Sequence, residues 1–187
     1  MTYYGGKELA ASFRTVRNNT VKIAEEIPEN QYDFKPAPEC RSVGQTLVHI
    51  GLGTGFASYV HGNKISDLKT VNFPELMQKV LAEEAKPRTK METIAFLKAE
   101  GDKFAGLLET LPEPFLSEVV LMPPGAPEKS KTRFEMLLSA KEHEMHHRGQ
   151  LMTMQRMIGL VPHLTRQMQE RMAQMQAAAA TAGTAQR

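Results

Sequence analysis

Apolar residues return along this chain at intervals of three and four, the repeat of an α-helix that buries one side. Leu9, Phe13, Val16, Thr20, Ile23 and Ile27 form the first such seam, and Pro28 ends it, which predicts a helix over 7–27. Ser42-Val43-Gly44-Gln45 reads as a capping box, in which the Ser42 hydroxyl and the Gln45 side chain each satisfy a backbone N–H at a helix start. The helix it opens is predicted over 42–62, with Thr46, His49, Ile50, Gly53, Phe56, Ala57 and Val60 inward. A third seam of Ile94, Leu97, Gly101, Phe104, Leu108 and Leu111 predicts a helix over 89–111, closed by Pro112. The stretch 132–159 contains no proline, and Met136, Ala140, Leu151, Met154 and Ile158 share one face, which predicts the fourth.

The connections are legible in the same terms. Pro36 and Pro38 keep 29–41 as a loop. Asn72-Phe73-Pro74 opens a shorter helix, with proline at the first helical position and Leu76, Val80 and Leu81 apolar, and Pro87 stops it. The proline-rich stretch 112–130 reads as a long loop with one extended piece at 118–122. Past Thr165 the chain turns to Gln, Met and Ala, helical at first and low-complexity at its end. The expected fold class is all-α: a four-helix bundle over 1–163, one short extra helix, and an extension over 164–187, partly helical or disordered.

Charge and composition narrow the function classes. The net charge is +2, from 23 basic and 21 acidic residues, with no basic stripe interleaved with aromatics, so nucleic-acid binding has no support. The single cysteine, Cys40, rules out an internal disulfide framework and fits a reducing compartment. No long apolar run and no apolar leader occur, so no membrane partner is expected and the location expected is cytoplasmic.

The chemistry concentrates in Glu142-His143-Glu144-Met145-His146-His147-Arg148-Gly149-Gln150-Leu151, which holds three of the six histidines. On a helix turning about 100° per residue, His143 and His147 lie about 40° apart and His146 about 60° to the other side. Two neutral imidazoles at i, i+4 are a common way for one helix to offer two ligands to a metal. Singly, each of these histidines is as readily a hydrogen-bonded core residue. His49, alone among apolar neighbours on the second helix, is the third imidazole placed inward, and the coincidence of His49, His143 and His147 favours a metal. His61 reads as structural, a partly charged ring at a helix end. The letters His-Glu-x-x-His also fit a zinc protease, although no third ligand follows in the protease pattern.

Taken with Lys35-Pro36 and Ser42-Val43-Gly44 leading to His49-Ile50, and Arg156-Met157-Ile158-Gly159 at the end of the last helix, the His143–Leu151 string resembles the DinB-like (DinB/YfiT-like) family of bacterial four-helix-bundle metalloproteins. The resemblance runs over about residues 5 to 163. It implies a divalent metal held by three histidines, matching His49, His143 and His147, and a bundle that often forms a homodimer. It also implies thiol-dependent transferase or isomerase chemistry with a low-molecular-weight thiol such as bacillithiol or mycothiol, acting on a small-molecule substrate.

Three protein nitrogens leave open coordination positions, the pattern of a catalytic metal. Imidazoles accept zinc, nickel, iron and copper alike, so the ligands leave the metal open; zinc is the expected ion, with nickel or iron as alternatives. The metal can activate water for hydrolysis or bind a thiol as thiolate. Glu142 points away from the inward face and Glu144 falls at its edge, which favours the thiol, with Glu118 or Glu128 as the loop carboxylates that can still reach in. Gln150, one turn beyond His147, is the candidate hydrogen-bond partner behind a ligand. The rival class is a non-catalytic metal-binding or stress-response protein, with its open positions plugged or sealed.

Overall fold

The structure, a computed structural model, describes residues 4–184, with side chains to 179; the last three residues of the low-complexity end lie outside it. Four segments build the bundle: α1 (Gly6–Glu26), α2 with α3 (Val43–Leu52 and Gly55–Gly62), α5 (Lys90–Thr110) and α7 (Arg133–Met157). Outside it lie α4 (Phe73–Glu84), the single turn α6 (Glu113–Leu116) and α8 (His163–Thr184). Val119–Leu121 (β1) pairs antiparallel with Ser130–Thr132 (β2), so the extended piece at 118–122 exists and has a partner strand that its sequence did not announce. Among the described residues no helix is long and apolar enough to cross a membrane.

Local chemistry sets the boundaries. Ser42 and Gln45 form the capping box, with Gln45 N donating to Ser42 Oγ at 3.2 Å and Ser42 N donating to Gln45 Oε1 at 2.9 Å. Thr89 and Glu92 do the same for α5, and Asn72 caps α4. The helix expected over 42–62 is broken at Gly53-Thr54, where the Gly53 N–H is shared between the His49 and Ile50 carbonyls. Phe56, expected inward, is 40% exposed beyond this break.

Two apolar layers run through the bundle, apart from a third cluster of Val60, Leu68, Val71 and Val120. One gathers Ile23, Ile27, Leu47, Ile50, Leu97 and Leu151, the other Leu9, Phe13, Phe104, Leu108 and Leu137. Between them, at the level of Gly101 on α5, lies a buried ion pair: Arg17 of α1 and Glu144 of α7, with side chains 4% and 1% exposed. Arg17 Nε and Nη2 each donate to the carboxylate at 3.0 Å, Nη1 donates to Leu97 O at 2.6 Å, and Nη2 reaches Ile50 O at 3.4 Å. A Cβ at Gly101 would stand 2.8 Å from Arg17 Cγ, so glycine makes room for the guanidinium stem.

This layer corrects the helical wheel of α7. Its buried face is Leu137, Ala140, Glu144, Leu151, Met154 and Gln155, so Glu144 lies at the centre of the face and not at its edge. The wheel treats every carboxylate as outward. Here Arg17 supplies the charge that lets one be buried. His143 and His147 are thereby turned to the flank of the helix.

His61 is also corrected. It is 1% exposed, and Arg133 Nη1 donates to its Nδ1 at 3.4 Å. Burial, aided by the Arg133 charge, pushes its pKa down from 6.5 to about 4, so it is neutral and no partly charged helix end. Between pH 6.5 and 4 the unfolded chain takes up this proton before the folded one does. The stability it contributes is therefore complete above pH 6.5, declines as the pH falls to about 4, and changes no further below. The expected result is a urea midpoint that falls from pH 7 to pH 4 by less in His61→Leu than in the parent; equal slopes would contradict it.

Candidate metal centre

The break after α2 and the rotation of α7 together build the site. His49 comes from the last turn of α2, and His143 and His147 from the middle of α7. His143 can approach because the chain is glycine at 53: a Cβ there would meet the His143 Nδ1 at 2.6 Å. The His143 Nε2 lies 3.1 Å from the His49 Nε2 and 3.2 Å from the His147 Nε2. All three rings can thus offer one nitrogen to a single point, their ligating atoms lying within 4.8 Å of one another.

The outer nitrogens of two rings are already engaged, which decides what the inner ones can do. His49 Nδ1 lies 3.1 Å from Glu84 Oε1, and since a carboxylate only accepts, Nδ1 carries the proton. His147 Nδ1 donates to Gln150 Oε1 at 2.7 Å, and Gln150 Nε2 donates to His146 Nε2 at 3.2 Å. In the neutral rings, Nε2 of His49 and of His147 are therefore bare lone pairs, both facing His143 Nε2. At most one of those two contacts can be a hydrogen bond, because His143 has a single proton to offer. A cation satisfies all three nitrogens at once. Tetrahedral ligands at about 2.0–2.1 Å from zinc stand roughly 3.3 Å apart, close to the separations found here.

Electrostatics keep the rings neutral. Burial pushes His143 down to about 4, with the neighbouring imidazoles and Arg41 adding to it. Burial likewise lowers His49, where Arg41 and His147 reinforce it and Glu84 opposes it, and lowers His147, where Gln150 opposes it. Neutral imidazole is the form that binds metal.

Two features escaped the sequence. Glu84 lies at the end of α4, a helix with no buried residue, and its carboxylate reaches both His49 and Arg41 Nε, the latter at 3.0 Å. A carboxylate behind a ligating histidine fixes its tautomer and raises its basicity. The second is Arg41, one residue before the Ser42 cap. Neither has a periodic signal, since both act through the end of an exposed helix or loop. Gln150 does stand behind His147, while His146 is exposed and faces Gln150 rather than the cluster. Replacing Glu84 by alanine is expected to weaken metal binding by about tenfold to a hundredfold, as measured by competition with a chromophoric chelator. Parent-like affinity would show that Glu84 has no orienting role.

The carboxylates weighed from the sequence, Glu144, Glu118 and Glu128, are spoken for. Glu144 faces Arg17 in the core, which removes the base that the zinc-protease reading requires. Glu118 and Glu128 do not reach the site; they pair with Arg133 and Lys131. The cluster is not sealed: His147 and Gln150 open onto a cleft of about 670 Å³ whose wall includes Glu39, Cys40, Arg41 and Thr46.

The uncharacterized protein YjoA of Bacillus subtilis is 26% identical over 152 residues, covering 81% of this chain and 90% of that protein. Its crystal structure, described as a DinB-like protein, superposes with a TM-score of 0.61 at 24% identity, over 81% of this chain and 92% of that one. YfiT from Bacillus subtilis, described as a probable metal-dependent hydrolase with an unusual four-helix bundle topology, superposes with a TM-score of 0.64 at 13% identity, over 86% and 91% of the two chains. A DinB-like protein from Bacillus cereus gives 0.62 at 17% identity, over 83% and 93%. The sequence pattern of the DinB family matches residues 1–179, and the chain belongs to that family.

Proposed function

We propose that this protein is a divalent-metal-dependent enzyme in which His49, His143 and His147 hold the ion, with its open side towards the cleft, and that its reaction is a thiol-dependent transfer or isomerisation of a small molecule. The observation that supports it most is the convergence of three Nε2 atoms, two of them lone pairs fixed by Glu84 and Gln150. When bound, the ion supplies Lewis acidity, which lowers the pKa of a thiol or a water that enters the cleft. Three imidazoles with an open position suit zinc, with nickel or iron as alternatives.

The preference for a thiol rests on the carboxylates. Glu84 is held by His49 and Arg41, and Glu144 by Arg17, so neither is free to take a proton from water. A thiol needs less help from a base, because its own pKa, about 8.5, lies far below that of water. The second reading is a hydrolase. It is favoured by the description of YfiT and by Glu39 in the cleft wall, where a carboxylate can reach an entering water. Homodimerisation through helix faces belongs to the same proposal; Leu52 borders an apolar groove with Phe56 and Tyr59, whereas Met152 packs on the core.

The experiment is metal analysis of the purified protein, followed by assays of zinc-loaded and chelator-treated protein with a panel of low-molecular-weight thiols and a halogenated aromatic electrophile. Metal-dependent loss of thiol supports transfer. Turnover of ester or amide substrates with no thiol consumed would replace it with hydrolysis.

A further inference from the structure

The cleft beside the histidines has one arginine in its wall, Arg41, which also borders a second cleft of about 340 Å³ between the 35–41 loop and the end of α4. Its Nε donates to the same Glu84 oxygen that faces His49 Nδ1, so the guanidinium stands two hydrogen bonds from the imidazole cluster. That bond engages one of the five N–H donors of the group. The side chain is 45% exposed, and its two Nη groups make no hydrogen bond among the described residues. The helix-start amides at this rim are committed. The first amides of α2, at Val43, Gly44 and Gln45, donate to Phe34 O, Tyr32 O and Ser42 Oγ.

A molecule that spans from the histidines to Arg41 therefore meets positive charge at both ends, because three neutral imidazoles leave a divalent ion its full charge. Glu39, the one carboxylate in the wall of the larger cleft, disfavours a polyanion. On the metal reading given above, we propose that Arg41 anchors the substrate: the ligands of this site are small molecules bearing one carboxylate, received by the Nη groups of Arg41 while another atom of the same molecule meets the metal. A planar fork of two donors matches a carboxylate better than an ammonium does. The Glu84 bond holds that fork in place without occupying it.

The test uses zinc-loaded protein and two hydroxamates of equal length, succinic monohydroxamate and its analogue with a primary amide in place of the carboxylate, titrated by calorimetry. The hydroxamate end binds zinc in both. The acid is expected to bind about tenfold more tightly than the amide. In Arg41→Gln that preference should vanish with zinc content retained, and Arg41→Lys should restore part of it. A merely structural role, bracing Glu84, would weaken both compounds alike and leave their ratio unchanged, which would overturn the proposal. So would a ratio near one in the parent protein. Binding of neither compound to protein that has taken up zinc would instead sink the reading of an open catalytic metal, and the anchoring role with it.

Discussion

Glu144→Gln is expected to destabilise the metal-free protein by about 3–5 kcal/mol, the usual cost of leaving one partner of a buried ion pair without its counter-charge. The carboxylate is 1% exposed and takes two donors from Arg17, whose remaining hydrogen bonds go to the carbonyls of Leu97 on α5 and Ile50 on α2. Arg17 alone therefore touches three other helices of the bundle, at the level where its two apolar layers meet. With glutamine in place of Glu144 the guanidinium keeps its charge in a dry layer and loses the group that balanced it. For a chain of this length the thermal midpoint should fall by roughly 10 °C or more. Replacing both residues by apolar ones, Arg17→Met with Glu144→Leu, should recover much of that loss, since a well-packed apolar pair often matches a buried ion pair. A single-variant cost below about 1 kcal/mol in urea unfolding would mean that water reaches this layer.

That layer also shows how far the sequence could be read. The α1 seam is met at each residue named for it: Leu9, Phe13, Val16, Thr20, Ile23 and Ile27 are all buried. The Ser42–Gln45 box and Asn72-Phe73-Pro74 placed the starts of α2 and α4, because a cap is a contact between residues three apart and leaves its mark in the local sequence. The break at Gly53-Thr54 left no such mark. Gly53 reads in the sequence as one more inward position, and the reason for it, the His143 ring, lies ninety residues further on. Glu144 failed for the same reason: its partner Arg17 is on another helix, and a wheel sees one helix at a time.

The histidines were legible because i, i+4 spacing on α7 and a lone imidazole on α2 are both periodic signals. The groups that orient them were legible only where they too were local. Gln150 sits three residues from His147 and could be named from the sequence, whereas Glu84 reaches His49 from a helix that buries none of its own residues. Of the apolar positions chosen for that helix, Leu76 packs against the cluster of Val60, Leu68, Val71 and Val120, whereas Val80 and Leu81 are not in the core; Leu81 is 56% exposed. What holds the end of α4 against the bundle includes the polar contact from Glu84 to His49.

The central claim is that three imidazoles from two helices hold one ion, and single substitutions of them should have the largest effect on function. Loss of any one leaves two nitrogens, so His49→Ala, His143→Ala and His147→Ala should each weaken binding by more than about a hundredfold, beyond what loss of an outer partner brings. His146 differs: it faces Gln150, stands on the exposed side of α7, and is not part of the convergence. The most direct measurement is the metal content of the parent and these four variants after dialysis, with circular dichroism to verify the fold. The parent and His146→Ala should retain close to one equivalent, and the other three should retain almost none. Metal lost from folded His146→Ala, or kept in His49→Ala, would contradict a site built from both helices.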